Sequence, residues 1–185
     1  MSRERSIAAI QEAMVEEQKI FLAAQKSIET EDPGQEDVYD VGTVGTIKQL
    51  IKLPKHIVRV LGSGENRGIL RRIEQKDPYL RAEVEVSDES GLVIPDDPKN
   101  QAMERSLKDM FVEYASKNGK MSKEAVAQLA DIKGLKKLVD EIAANIPLSY
   151  TDQQELLSET DFWKRYEKLA FRLVNEVQIM NIKEE

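Results

Sequence analysis

Cysteine is absent from this 185-residue sequence, and histidine occurs once, at His56. The first absence excludes a disulfide framework, thiolate zinc or iron–sulfur sites and a cysteine nucleophile, and it fits a reducing compartment. The second excludes metal sites built from several histidines. No apolar run approaches the ~18 residues of a membrane span. No hydrophobic stretch follows Met1-Ser2-Arg3-Glu4-Arg5, so no secretory signal is expected and a cytoplasmic location is. Basic charge is in deficit: 27 Lys and Arg stand against 34 Asp and Glu, a net charge of −7. That balance argues against nucleic-acid binding as the main task. What remains is an ordinary globular composition, 41% hydrophobic and 33% charged. A chain of this length can bury about 70% of its unfolded surface.

The first half reads as mixed α and β. Ile7, Ile10 and Met14, with Ala9 and Ala13, recur at helical spacing, and Ser2 or Ser6 is placed to cap that helix. Lys19–Gln25 is an apolar run of strand length. Residues 29–40 hold six acidic residues and no basic one around Pro33-Gly34, the pattern of a surface loop. Val41–Leu53, the break at Pro54-Lys55-His56, and Ile57–Leu61 predict a hairpin. A further short strand is expected over Gly68–Gln75. Another follows from the alternation of Ala82, Val84 and Val86 with Arg81, Glu83 and Glu85. One helix and about five short strands predict a small twisted sheet or open barrel.

Past a segment rich in Gly, Pro and acid, the strand patterns stop. Met103, Leu107, Met110, Phe111 and Tyr114 predict one helix; Ala125, Val126 and Leu129, capped by Ser122, a second. Leu135, Leu138, Val139, Ile142 and Ile146 predict a third, and Gln153–Leu157, capped by Thr151 or Asp152, a fourth. A last helix begins near Thr160-Asp161, with Trp163, Tyr166, Ala170, Leu173, Val177 and Met180 at heptad spacing and Phe162 and Leu169 widening the stripe. Phe171, Ile179 and Ile182 fall on its other side, so that helix has a second apolar face. The expected class is α+β: a β-rich lobe over 1–89, a linker over 90–98, and a helical bundle over 99–185 ending in a long helix.

Motifs for chemistry are sparse. Gly62-Ser63-Gly64 with Gly68 resembles a glycine-rich loop, but no G-K-[ST] opening a helix follows, and a bent strand is the expectation. Ser63 has no acid and histidine pair to activate it. His56 is expected in a solvated turn. Asp96-Asp97 and Glu36-Asp37 lie in loops, without the difference in burial that splits carboxylate pKa values. Arg67, Arg71, Arg72, Lys76 and Arg81 are expected along a solvated sheet edge. Met103, Met110 and Met121 are expected in the core. No catalytic, cofactor or metal residue is assigned.

An ordered series of segments nonetheless resembles one family. Ala23-Ala24-Gln25-Lys26, Glu31-Asp32-Pro33, Val38-Tyr39-Asp40-Val41-Gly42-Thr43, Ile47-Lys48-Gln49-Leu50-Ile51-Lys52-Leu53-Pro54 and Val58-Arg59-Val60-Leu61 are similar to the N-terminal domain of Lon, the ATP-dependent endopeptidase La. Leu138–Ala144 with Pro147-Leu148, Gln154-Glu155-Leu156-Leu157, Arg165 and Glu176 continue the likeness. The resemblance implies a β-rich lobe and a helical bundle that capture unfolded or degron-bearing proteins and help hold a ring, typically a hexamer, of Lon subunits. It implies no catalysis, cofactor, membrane or nucleic acid for this segment. Three departures stand out. The family's first one or two strands are not recognisable, which would leave an open sheet edge. Gly62–Arg67 replaces a valine, glutamate and glycine pattern. No phosphate loop or Ser–Lys protease segment is present. Trp163 stands where the family usually has a polar residue, and it joins Phe171, Ile179 and Ile182 as a candidate protein-binding residue, aromatics being common interface anchors. The alternative is a self-association or adaptor module using the last helix and the open edge.

Overall fold

A computed structural model describes residues 3–184, which divide into two compact units, one ending at Gly91 and the other starting at Leu92. The class is α+β. Helix α1 (Glu4–Val15) opens the first unit, and four strands follow, β1 (Lys19–Leu22), β2 (Val41–Leu53), β3 (Ile57–Gln75) and β4 (Arg81–Ser87). They form one open antiparallel sheet in the order β1-β2-β3-β4.

The predicted hairpin is present, but the strand expected over Gly68–Gln75 is the end of a single 19-residue β3. Four strands therefore replace the five expected. Gly62 and Gly64 do not break β3 because β2 pairs across them, Gly45 opposite Gly64 and Ile47 opposite Gly62, with register shifts at Val44/Gly45 and Ile47/Gln49. The bulges bend the ribbon and let the strand run on. At the tip, Lys55 and His56 both adopt positive φ, 66° and 56°.

Helix α1 closes one sheet face with Ile10 and Ala13 against Ile47, joined by half-buried Met14, Ile20, Leu50 and Val60. Of its expected caps, Ser2 lies outside the described residues and Ser6 is inside the helix; Arg3 occupies the N-cap without a side-chain hydrogen bond. Gly42 and Gly68 face each other across β2 and β3. A Cβ on Gly42 would lie 2.2 Å from the Leu22 carbonyl oxygen and 2.8 Å from the Phe21 ring, so only glycine lets β1 sit this close.

The second unit holds α2 (Pro98–Asn118), α3 (Lys123–Ala130), α4 (Leu135–Asn145), α5 (Tyr150–Ser158) and α6 (Phe162–Glu184). Asp97 caps α2 by accepting from the Asn100 N–H at 2.8 Å, with Pro98 in the first turn. Ser122 caps α3 as expected, whereas Ser149, rather than Thr151 or Asp152, caps α5. The core is continuous: Leu107, Phe111, Leu138, Val139, Ile142, Ile146 and Leu169 are almost wholly removed from water. Leu92 and Ile94, from the stretch read as a linker, pack against it, as do Met103, Met110 and Met121.

Candidate functional site

Helix α6 packs against α2, α4 and α5, and its buried residues are Phe162, Arg165, Leu169, Leu173 and Val177. The stripe is centred on Phe162 and Leu169, expected only to widen it. Phe162, not Trp163, enters the core, and Arg165 and Leu169 are buried while Tyr166, Ala170 and Met180 sit on its shoulder. A helix held by several neighbours follows the 3.6-residue period rather than the 3.5 of a two-stranded seam.

Arg165 is the unexpected member, a cation with no exposed side-chain surface. Its Nη1 donates to Asp140 Oδ1 at 3.2 Å, its Nε to the Glu159 carbonyl oxygen at 3.2 Å, and its guanidinium lies 5.9 Å from the Phe162 ring centre. These contacts make it part of the bundle's framework. Spacing alone carries no signal for such burial.

The opposite side of α6 is open and mixed, with Lys164, Glu167 and Gln178 exposed among apolar side chains. Phe171 is 69% exposed and Ile182 72%, and Trp163, Val174 and Ile179 are exposed as well. Trp163 meets Phe162 edge-on, ring centres 5.1 Å apart, and keeps its outer surface free. All four candidate residues, Trp163, Phe171, Ile179 and Ile182, thus share one helix and lie outside its buried stripe. Trp163 and Phe171 are about 12 Å apart along the axis, and Phe171 and Ile182 a further ~16 Å, at 1.5 Å per residue.

The β-rich unit carries a second apolar surface that the sequence reading missed. A groove of about 440 Å³ lies between α1 and the sheet, with Phe21, Leu22, Leu70, Ile73, Tyr79 and Val84 in its lining. Gly68 beside it was the available signal, since a Cβ there would lie within 3 Å of Phe21, Val44 and Val84.

The remaining sequence candidates are brought to no common site. Arg67, Arg71 and Arg72 lie on β3, between β2 and β4, rather than along the expected solvated edge, and they are matched by Glu89, Glu85, and Glu74 with Glu83. Lys19 and the Thr46 hydroxyl both reach Glu65, and the Lys19 contact leads in holding that carboxyl below its usual range. His56 is exposed at the hairpin tip. Among the described residues no cluster of His, Asp and Glu is placed to hold a metal ion, and no helix is long and apolar enough to cross a membrane.

Comparison with known proteins matches residues 1–175 to the substrate-binding domain of the ATP-dependent protease La (LON). The chain is 41% identical over 184 residues to the Lon protease of Clostridioides difficile (strain 630), covering 98% of this chain and 23% of that protein. It is 37% identical over 185 residues to the Lon protease of Lachnoclostridium phytofermentans, again covering 23% of the relative. It thus spans under a quarter of the length of these curated relatives. Its fold is similar to the N-terminal domain of a Mycobacterium avium complex Lon protease, with a TM-score of 0.68 at 15% identity over 95% of this chain and 86% of the other. A Lon N-terminal domain protein from Xanthomonas campestris superposes with a TM-score of 0.56 at 16% identity, over 91% and 84%.

Proposed function

Because this chain belongs to the Lon substrate-binding domain family, we propose that it is a protein-recognition module that captures unfolded or degron-bearing chains for ATP-dependent proteolysis and supports the association of Lon subunits into a ring. The observation that carries this reading is the outer face of α6. Phe171 and Ile182 keep about 70% of their surface in water on a helix whose other side is locked into a core. A rigid element presenting separated apolar anchors without a surrounding pocket suits weak, multi-point contact with an extended chain. Weak contact fits the task, since a captured substrate must also be passed on.

Fluorescence anisotropy of labelled, dephosphorylated β-casein titrated with the chain tests this. Binding is expected in the micromolar range or weaker, with a loss of about tenfold in the Phe171→Ser/Ile182→Ser variant. No binding at ~100 µM, or nucleotide hydrolysis by the purified chain, overturns the reading.

A second reading, self-association, has its own support: the exposed apolar residues of α6 and the outer edges of β1 and β4, which have no strand partner among the described residues. It predicts a concentration-dependent dimer by sedimentation velocity that the same double substitution weakens.

A further inference from the structure

Strand β1 is an edge of the sheet, and its backbone shows which side is open. The Gln18 and Ala24 carbonyls accept from the Ile47 and Tyr39 N–H groups, on the side of β2. Successive residues of an antiparallel strand turn their backbone groups to opposite sides, so those of Lys19, Phe21 and Ala23 point away from β2. Among the described residues no strand pairs with β1 on that side.

A gap lies there. The groove of about 440 Å³ beside α1 is lined by the consecutive residues 19–23 and also by the consecutive residues 79–82 at the start of β4. A pleated face shows only every second residue, so an unbroken run marks a strand met along its edge. The two edge strands of the sheet therefore border one groove. The sheet curls far enough for Phe21 of β1 and Val84 of β4 to meet over Gly68, each with an atom within 3 Å of where a Cβ there would stand. Leu70, Ile73 and Val84 make the lining between the edges apolar.

The charges beside the groove are uneven. Arg5, Ala9, Glu12 and Glu16 follow one another along α1 at helical spacing, and all four line it. Arg5 is matched by Asp32 and Asp77, and Lys19 by Glu65. Arg81 alternates with Ala82 and Val84 and so stands on the other face of β4, with Glu83. Among the described residues no cation lies within ion-pair distance of Glu12 or Glu16. The unmatched charge along the groove is negative.

We infer that this groove is a docking site for an extended segment of a captured protein, added beside β1 as a further strand, with apolar residues at alternate positions and Lys or Arg between them. The outward N–H and C=O groups of β1 supply the pairing, as at any free strand edge. The apolar lining takes one set of side chains, and Glu12 and Glu16 match a basic residue of the other. A segment with Asp or Glu at those positions is repelled. The inference rests on the capture reading above and adds to it a second contact surface and a substrate class. A second copy of this chain, of net charge −7, and a fatty acid both bring negative charge to the same two carboxylates.

The test uses the 185-residue chain and three fluorescein-labelled peptides. Their centres are Val-Lys-Val-Lys-Val, Val-Glu-Val-Glu-Val, and the first of these with every amide N-methylated. By anisotropy at low salt, the Lys peptide is expected to bind about tenfold more tightly than the Glu peptide. The variant Glu12→Gln/Glu16→Gln is expected to bring that ratio down to about twofold, and N-methylation to abolish binding, since it removes the donors to β1. Both glutamates are exposed, and circular dichroism checks that the variant keeps its fold. Equal binding of the Lys and Glu peptides, a ratio that the double variant leaves unchanged, or binding that survives N-methylation overturns the inference. It is overturned equally if oleate binds, or sedimentation velocity shows a dimer that Ala9→Arg disrupts, and the Lys peptide does not bind. The β-casein titration separates the two readings. Casein bound but not displaced by excess Lys peptide keeps capture and removes the groove from it, whereas casein left unbound by the chain removes capture itself.

Discussion

Arg165 of α6, wholly buried, donates to Asp140 of α4, which remains a third exposed. The pair joins two core helices, and Lys136 reaches the other Asp140 oxygen at 3.1 Å. Removing the carboxylate takes the Asp140 acceptor from a buried cation, whereas removing the cation leaves a carboxylate that water and Lys136 still solvate. Asp140→Ala is therefore expected to cost about 2 kcal/mol, below the roughly 3–5 of a fully buried pair. Arg165→Met, which keeps most of the volume, is expected to cost less. Urea unfolding followed by Trp163 fluorescence reads both; a larger loss in Arg165→Met contradicts this account.

Acid should weaken the helical unit through Glu159. Lys168 Nζ at 3.0 Å, and then the Asp161 N–H at 3.2 Å, hold this carboxyl below the ordinary glutamate value of 4.5. A lowered folded pKa gives stability that is present above the unfolded value and lost as pH falls through the folded one. The helical unit is thus expected to hold constant near neutrality and to lose this contribution below about pH 4.5. Lys168→Met should flatten that part of a thermal-melt pH series; an unchanged profile excludes the assignment.

Seating of β1 depends on the missing side chain at Gly42. Gly42→Ala places a methyl group 2.2 Å from the Leu22 carbonyl oxygen, a backbone atom that moves only if the strand moves. A cost of about 2–3 kcal/mol is expected, typical of overpacking, with faster amide exchange at Phe21 and Leu22. Slow exchange there in the variant would show that β1 tolerates the shift.

At the hairpin tip the expected sign is reversed. His56→Gly relieves a positive φ at the expense of greater freedom in the unfolded chain, so a net gain of about 0.5 kcal/mol is expected. Thermal denaturation followed at a strand wavelength measures it, and a loss of stability would mean that the His56 side chain makes a contribution of its own.

Much of the architecture was legible locally. The alternation of Ala82, Val84 and Val86 marked β4, Pro54-Lys55-His56 marked the turn, and Leu135, Leu138, Val139, Ile142 and Ile146 marked a helix that the structure buries along that stripe. The exposed apolar residues of α6 were legible too, because Phe171 and Ile182 are out of phase with any single stripe. These features depend on neighbours a few residues apart, and periodicity reports such neighbours directly.

Other features follow only from chains meeting in space. Gly62 and Gly64 look like a break, but pairing with Gly45 and Ile47 carries β3 through them. Trp163 and Phe162 are adjacent and equally apolar, and only the packing of α6 on its neighbours decides which is buried. Arg165 has the same local signature as any exposed arginine; its burial depends on Asp140, 25 residues away. Sequence by itself determined periodicity, turns and caps, which are set by local sterics and hydrogen bonding. Tertiary structure decided which faces are covered, because burial is a property of the surfaces that meet.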